Sequence, residues 1–106
     1  MPIFFNKKKR EEEKARREVI ARVHEKPVNR VSERNPADYT ETILGEGGVI
    51  SILAEDIAVY CNGGEAFRGK LKGASFGEFL SRNGVVIQAQ DAYTGQRRTI
   101  VVYYSR

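Results

Sequence analysis

The chain has one cysteine, one histidine and three prolines in 106 residues. It also lacks any apolar run near the roughly 18–20 residues that a membrane-spanning helix needs. Each scarcity removes a class of protein. Cys61 alone excludes a disulfide within the chain and fits a reducing compartment, so a cytoplasmic location is expected. Met1, Ile3, Phe4 and Phe5 precede the first cations, the reverse of a secretory leader, and no such signal is read here.

Catalytic groups are as sparse. Nucleophilic catalysis needs a base beside the nucleophile. His24 and Cys61 are the only candidates of their kinds, and Cys61 alternates with Val59 and Ile57 in the manner of a buried structural thiol. Glu55, Asp56 and Asp91 stand apart from other metal-ligating residues and read as turn chemistry, so no metal site is expected. The GEGG run at 45–48 has no Lys-Ser/Thr after it and is not a phosphate loop. The expectation is a protein without catalysis and without a cofactor.

What the chain does have is unevenly placed positive charge. Residues 1–30 hold ten Lys/Arg against five Glu, and the rest hold eight against nine acids, so the net +4 belongs to the N-terminal arm. Such an arm suits an anionic partner, nucleic acid or a membrane surface, or is simply a solvated helix face. Asn6 is read as its N-cap and Pro27 as its stop. Glu12–Arg16, Glu13–Arg17 and Glu18–Arg22 take the favourable i,i+4 order. Ala15, Val19, Ile20 and Val23 make a narrow apolar stripe in the second half, which is expected to dock on the rest of the protein or on a neighbour. Phe4 and Phe5 beside Lys7, Lys8, Lys9 and Arg10 either insert into a partner or membrane surface or cap a local apolar cluster.

The expected organisation is a basic amphipathic helix over 1–27, a connector over 28–48 and a small β-domain over 49–106. The connector shows no sustained period, and Gly45, Gly47 and Gly48 are expected to break the chain. Residues 49–54 read as a strand, and residues 57–73 as a hairpin turned at Asn62-Gly63-Gly64. Its second arm alternates Phe67, Gly69, Leu71 and Gly73 with Arg68, Lys70 and Lys72. Residues 74–84 read as a loop burying Phe76, Phe79 and Leu80. Strands follow at 85–92 and 97–104, joined by a turn at 93–96. The last strand is apolar on both sides: Ile100, Val102 and Tyr104 face one way, Val101 and Tyr103 the other. A half-exposed strand should alternate. Ile100, Val101, Val102, Tyr103 and Tyr104 are therefore expected at an interface between copies, or under the N-terminal helix.

The alternation in VYCNGGEAFRGKLKG, residues 59–73, resembles the first signature of the Sm-like family, which includes the Sm and Lsm proteins and Hfq. The matching positions are Val59, Cys61, Gly63 or Gly64, Phe67, Gly69, Leu71 and Gly73. The resemblance implies a mainly β protein with an N-terminal α-helix, a small SH3-like or Sm-like bent barrel of about five strands. It further implies a homo-oligomer, a ring in that family, that binds single-stranded RNA. Ser75 stands where that family has an Asp, and its second signature is absent. The candidate nucleic-acid contacts are Arg68, Lys70, Lys72, Arg97 and Arg98, with Lys7, Lys8, Lys9 and Arg10 in the arm. Tyr60, Tyr93, Tyr103 and Tyr104 would supply stacking rings. The alternative is a structural or assembly protein, a phage or cell-structure component for example, in which a ring or filament and a partner-docking helix are the function.

Overall fold

The computed structural model describes residues 14–105. A helix, α1, covers residues 14–23. Seven strands follow: β1 Pro27–Arg34, β2 Glu41–Ile52, β3 Asp56–Cys61, β4 Gly64–Lys70, β5 Ser75–Glu78, β6 Gly84–Gln90 and β7 Arg97–Tyr104. They form one antiparallel sheet in the order β4-β3-β2-β1-β7-β6-β5. Its two end strands are consecutive in the chain, separated by residues 71–74. A single bridge, Gly69 to Asp91, and the Ala92 N–H bond to the Arg68 carbonyl (2.9 Å) join β4 to the far end of β6, so the sheet curls back on itself.

Local chemistry explains the elements. Asn62 (φ 54°) and Gly63 (φ 76°) give the β3–β4 hairpin its two left-handed positions, the requirement of a two-residue turn that matches strand twist. Ile57, Val59 and Cys61 point into the core with Ile50, Phe67, Val85, Ile87, Ile100 and Val102. α1 adds Val23, fully buried, and Val19, partly buried, to the same cluster. Two residues past the helix, Glu25 takes a φ of 62° and turns the chain. Three hydrogen bonds then stitch the turn to β2: Glu25 N–H to the Ile50 carbonyl (2.6 Å), Ile50 N–H to the Lys26 carbonyl (3.3 Å) and Ile52 N–H to Nδ1 of His24 (2.9 Å). The only histidine is thus a backbone acceptor that anchors the helix.

Several expectations are corrected. The supposed connector 28–48 holds all but the first residue of β1 and the first eight residues of β2; β1 here and β5 in the supposed loop raise the strand count from about five to seven. A bulge between Val31 and Ser32, and another irregularity between Val28 and Arg30, shift the register and hide the period of two. Gly45, Gly47 and Gly48 do not break the chain but lie inside β2. At Gly48 a Cβ would overlap the Tyr60 carbonyl oxygen, so only glycine lets β3 approach this closely. At Gly69 a Cβ would stand 2.6 Å from the Phe67 ring, so this glycine makes room for the largest core side chain. Residues 75–78 of the supposed loop form β5; Phe76 and Phe79 are half-buried, but Leu80 is fully exposed. Finally, β7 is not an edge. It lies between β1 and β6, and Ile100, Val101 and Val102 are fully buried within the single chain. Among the described residues the end strands of the sheet are β4, closed only at Arg68 and Gly69 by the contact with Asp91 and Ala92, and β5.

Candidate nucleic-acid interface

The turn that separates β4 from β5 reads Leu71-Lys72-Gly73-Ala74. Ala74 is buried and Leu71 half-buried against the core, so apolar contacts pin the turn at both ends while Lys72 projects outward. Gly73 takes φ 77°, and the turn is closed by the Ala74 N–H bond to the Leu71 carbonyl (3.1 Å). The Leu71 N–H bonds the Glu55 carbonyl (2.9 Å), which fixes the turn to the β2–β3 loop.

Two arginines converge on its carbonyls. Arg16 reaches from α1 and donates from Nη2 to the Leu71 carbonyl. Arg97, at the start of β7, donates from Nη1 to the Gly73 carbonyl (3.2 Å). Lys70 ends β4 immediately before the turn. Arg16, Lys70, Lys72 and Arg97 are all exposed, and none has an ion-pair partner among the described residues. Each guanidinium has five N–H donors, so bonds to the turn position Arg16 and Arg97 and leave donors for an anion. The nearest cross-strand acid, Asp56 opposite Lys70, is engaged by Arg68 instead.

Arg68 and Arg98 behave differently. Arg68 donates from Nε to Asp56 (2.9 Å) and from Nη1 to Glu65 (3.2 Å). Glu65 also accepts the Tyr93 hydroxyl at 2.6 Å, which raises the Tyr93 pKa. Arg98 lies over the Phe67 ring, 5.2 Å from its centroid, and holds Glu33 (2.6 and 2.9 Å) and Asp91 (2.8 Å). The Arg98 guanidinium, helped by the Thr94 and Tyr93 amides, lowers the pKa of Asp91. The charge of both arginines is therefore answered within the fold. They staple the seam where β4 meets the end of β6. Of the five cations expected in the β-domain, Arg97 bonds the turn that carries Lys72 and directly follows Lys70, whereas Arg68 and Arg98 stand apart. Lys7, Lys8, Lys9 and Arg10 lie outside the described residues, as do Phe4, Phe5, the expected N-cap Asn6, and Glu12 and Glu13 with their expected pairs to Arg16 and Arg17.

The tyrosines divide similarly. Tyr104 is half-buried, its hydroxyl has no hydrogen-bond partner among the described residues, and burial pushes its pKa up to about 12. Tyr103 lies under the Arg30 guanidinium (4.5 Å), meets Phe79 edge-on and donates to Glu41 (2.8 Å). Tyr60 is half-buried, and Tyr93 is mostly exposed. Cys61 is buried, and burial pushes its thiol pKa up, away from the reactive thiolate.

Sequence reasoning missed Arg16. Its signal was available: it lies three and seven residues before Val19 and Val23, on the flank of the apolar stripe, where a helix that docks by that stripe carries it against the sheet. Among the described residues no cluster of His, Cys, Asp or Glu could hold a metal ion, and no helix is long and apolar enough to cross a membrane. No family model matches the chain, and no curated protein or solved structure matches it.

Proposed function

We propose that the protein binds single-stranded nucleic acid, RNA in the first instance, without catalysis, through the cations gathered on the 71–74 turn. The observation that carries this reading is the meeting of Arg16 from the helix and Arg97 from β7 on the carbonyls of the turn that carries Lys72 and follows Lys70, all four exposed and with no acid partner among the described residues. A cationic surface held by a rigid scaffold is what a phosphate backbone requires. The reading keeps the Sm-like resemblance for residues 59–73 and reads the curled sheet as a small bent barrel of the SH3-like or Sm-like class. Assembly of copies, which that resemblance implies, would use the open edges of β4 and β5, because β7 is enclosed. The single buried thiol suits a cytoplasmic setting.

The test is fluorescence anisotropy with labelled oligo-uridine and oligo-adenosine at low salt. Binding that weakens steeply with added salt is expected. No affinity at low salt sinks the reading, and preferential binding to anionic liposomes would transfer the patch to a membrane surface.

The open strand edges favour a second reading, a structural or assembly protein in which association of copies is itself the function. It requires a stable oligomer purified free of nucleic acid, so native mass and the 260/280 nm absorbance ratio separate the two.

A further inference from the structure

Beside the cationic turn runs a groove of about 290 Å³ between α1 and β5, lined by Ala15, Arg16, Val19, Ala74, Ser75 and Phe76. Val19, Ala74 and Phe76 form an apolar floor whose other side packs on the core. Ligand pockets for drug-sized molecules span roughly 300–1,000 Å³, so this groove suits a single ring system rather than a larger ligand. One lip is cationic. Arg16 lines the groove and bonds the Leu71 carbonyl, Lys72 follows in the same turn, and Arg97 bonds the next carbonyl but one, that of Gly73.

We infer that this groove receives one unstacked base of the bound strand, its face against the Phe76 ring, while the adjoining phosphates lie across Arg16, Lys72 and Arg97. The inference rests on the nucleic-acid reading above and adds the base to it. The occupant follows from the combination of surfaces. An apolar floor favours the face of a ring, and the cations on its lip, which have no ion-pair partner among the described residues, favour a ligand whose ring is attached to an anion. A nucleotide in a single strand has both parts in that order. A duplex cannot offer its bases this way, because they are stacked and paired.

The test compares two probes of equal length at low salt: labelled oligo-uridine, and an abasic chain of the same sugar and phosphate. Stacking on one aromatic ring corresponds to about tenfold in affinity, so the wild type should prefer the base-bearing probe by about that factor. Phe76→Leu, which keeps an apolar side chain on the core, should erase the preference and leave affinity for the abasic chain unchanged. Ala15→Leu, which fills the groove from the exposed helix side, should do the same and covers the case in which Phe76→Leu fails to fold. A preference retained in the folded variants overturns the inference and gives the groove to an apolar segment of this chain or to a protein partner. Equal wild-type binding of both probes also overturns it while leaving the cationic patch standing. Binding of neither probe overturns the nucleic-acid reading itself.

Discussion

Removing Lys72 and Arg97 together should change the salt dependence of binding by a calculable amount. Both side chains are exposed, and neither has an ion-pair partner among the described residues, so the double variant Lys72→Ala/Arg97→Ala should keep its fold. Each phosphate neutralised on a single strand contributes about 0.7 to the slope of log affinity against log salt. The four cations on the turn, Arg16, Lys70, Lys72 and Arg97, therefore account for a slope of about −2.8, or a loss of roughly 50-fold between 50 and 200 mM salt. Without Lys72 and Arg97 that contribution falls to about −1.4, or roughly sevenfold over the same step. Contacts made elsewhere on the chain add to both slopes and cancel in the difference. Anisotropy titrations of oligo-uridine at several salt concentrations measure it, with thermal melts to establish equal folding. A slope unchanged in the folded double variant would refute the assignment of these cations to the phosphate backbone.

Three further outcomes follow from the packing. Asp91→Asn should lower stability by about 1–3 kcal/mol at neutral pH in denaturant unfolding, because the buried carboxylate loses its charge-assisted bond to Arg98. Its folded pKa is lowered, so its stabilisation is present above the unfolded value of about 3.9 and is lost as pH falls through the depressed folded value; the variant should lack that acid limb, and a parallel pH profile would contradict the pairing. Tyr104→Phe removes a buried hydroxyl with no partner among the described residues and should leave the melting temperature unchanged or raise it, equivalent to at most about 1 kcal/mol, whereas a clear loss would mean that the hydroxyl is satisfied. Val101→Asp places an unpaired charge at a fully buried site, at a cost of several kcal/mol against a typical total of about 5–15, and should abolish the cooperative melt; a folded monomer released from an oligomer would instead restore β7 as an interface.

The parts of the fold legible in the sequence were those with an uninterrupted period. Ile57, Val59 and Cys61 alternate without error, and Asn62-Gly63 fixes the turn after them, so the β3–β4 hairpin was legible, although β4 stops at Lys70 and residues 71–73, expected in its second arm, form a turn. β1 was not, because bulges at Val31/Ser32 and Val28/Arg30 shift its alternation mid-strand. β2 was halved because glycine usually marks a break, and here Gly48 marks the close passage of β3. The two-sided apolar character of β7 was legible; of the two explanations it allowed, an interface between copies or cover by the N-terminal helix, the single chain does not require the first. Ile100 and Val102 join the main core, and Val101 is buried on the other face between its partners Ser32 and Val86, without a second chain.

The candidate site followed the same logic. Lys70, Lys72 and Arg97 could be named as cations from the sequence. Which cations are already paired could not, because pairing depends on register. Arg68 meets Asp56 only because β3 and β4 pair Ala58 with Arg68, which leaves Asp56 two residues along the same face. Arg98 meets Glu33 across 65 positions of chain. The grouping of Arg16 with Lys72 and Arg97 likewise exists only once the helix lies against the turn.

Photo-crosslinking of a 4-thiouridine oligonucleotide to the full chain, with the adducts mapped by mass spectrometry, tests the central claim most directly. Crosslinks in residues 14–19 and 70–76 are predicted, with their yield reduced in the Lys72→Ala/Arg97→Ala variant. Crosslinks confined to other surfaces, such as the β1–β2 turn at 35–40, or equal yields from the variant, would contradict it.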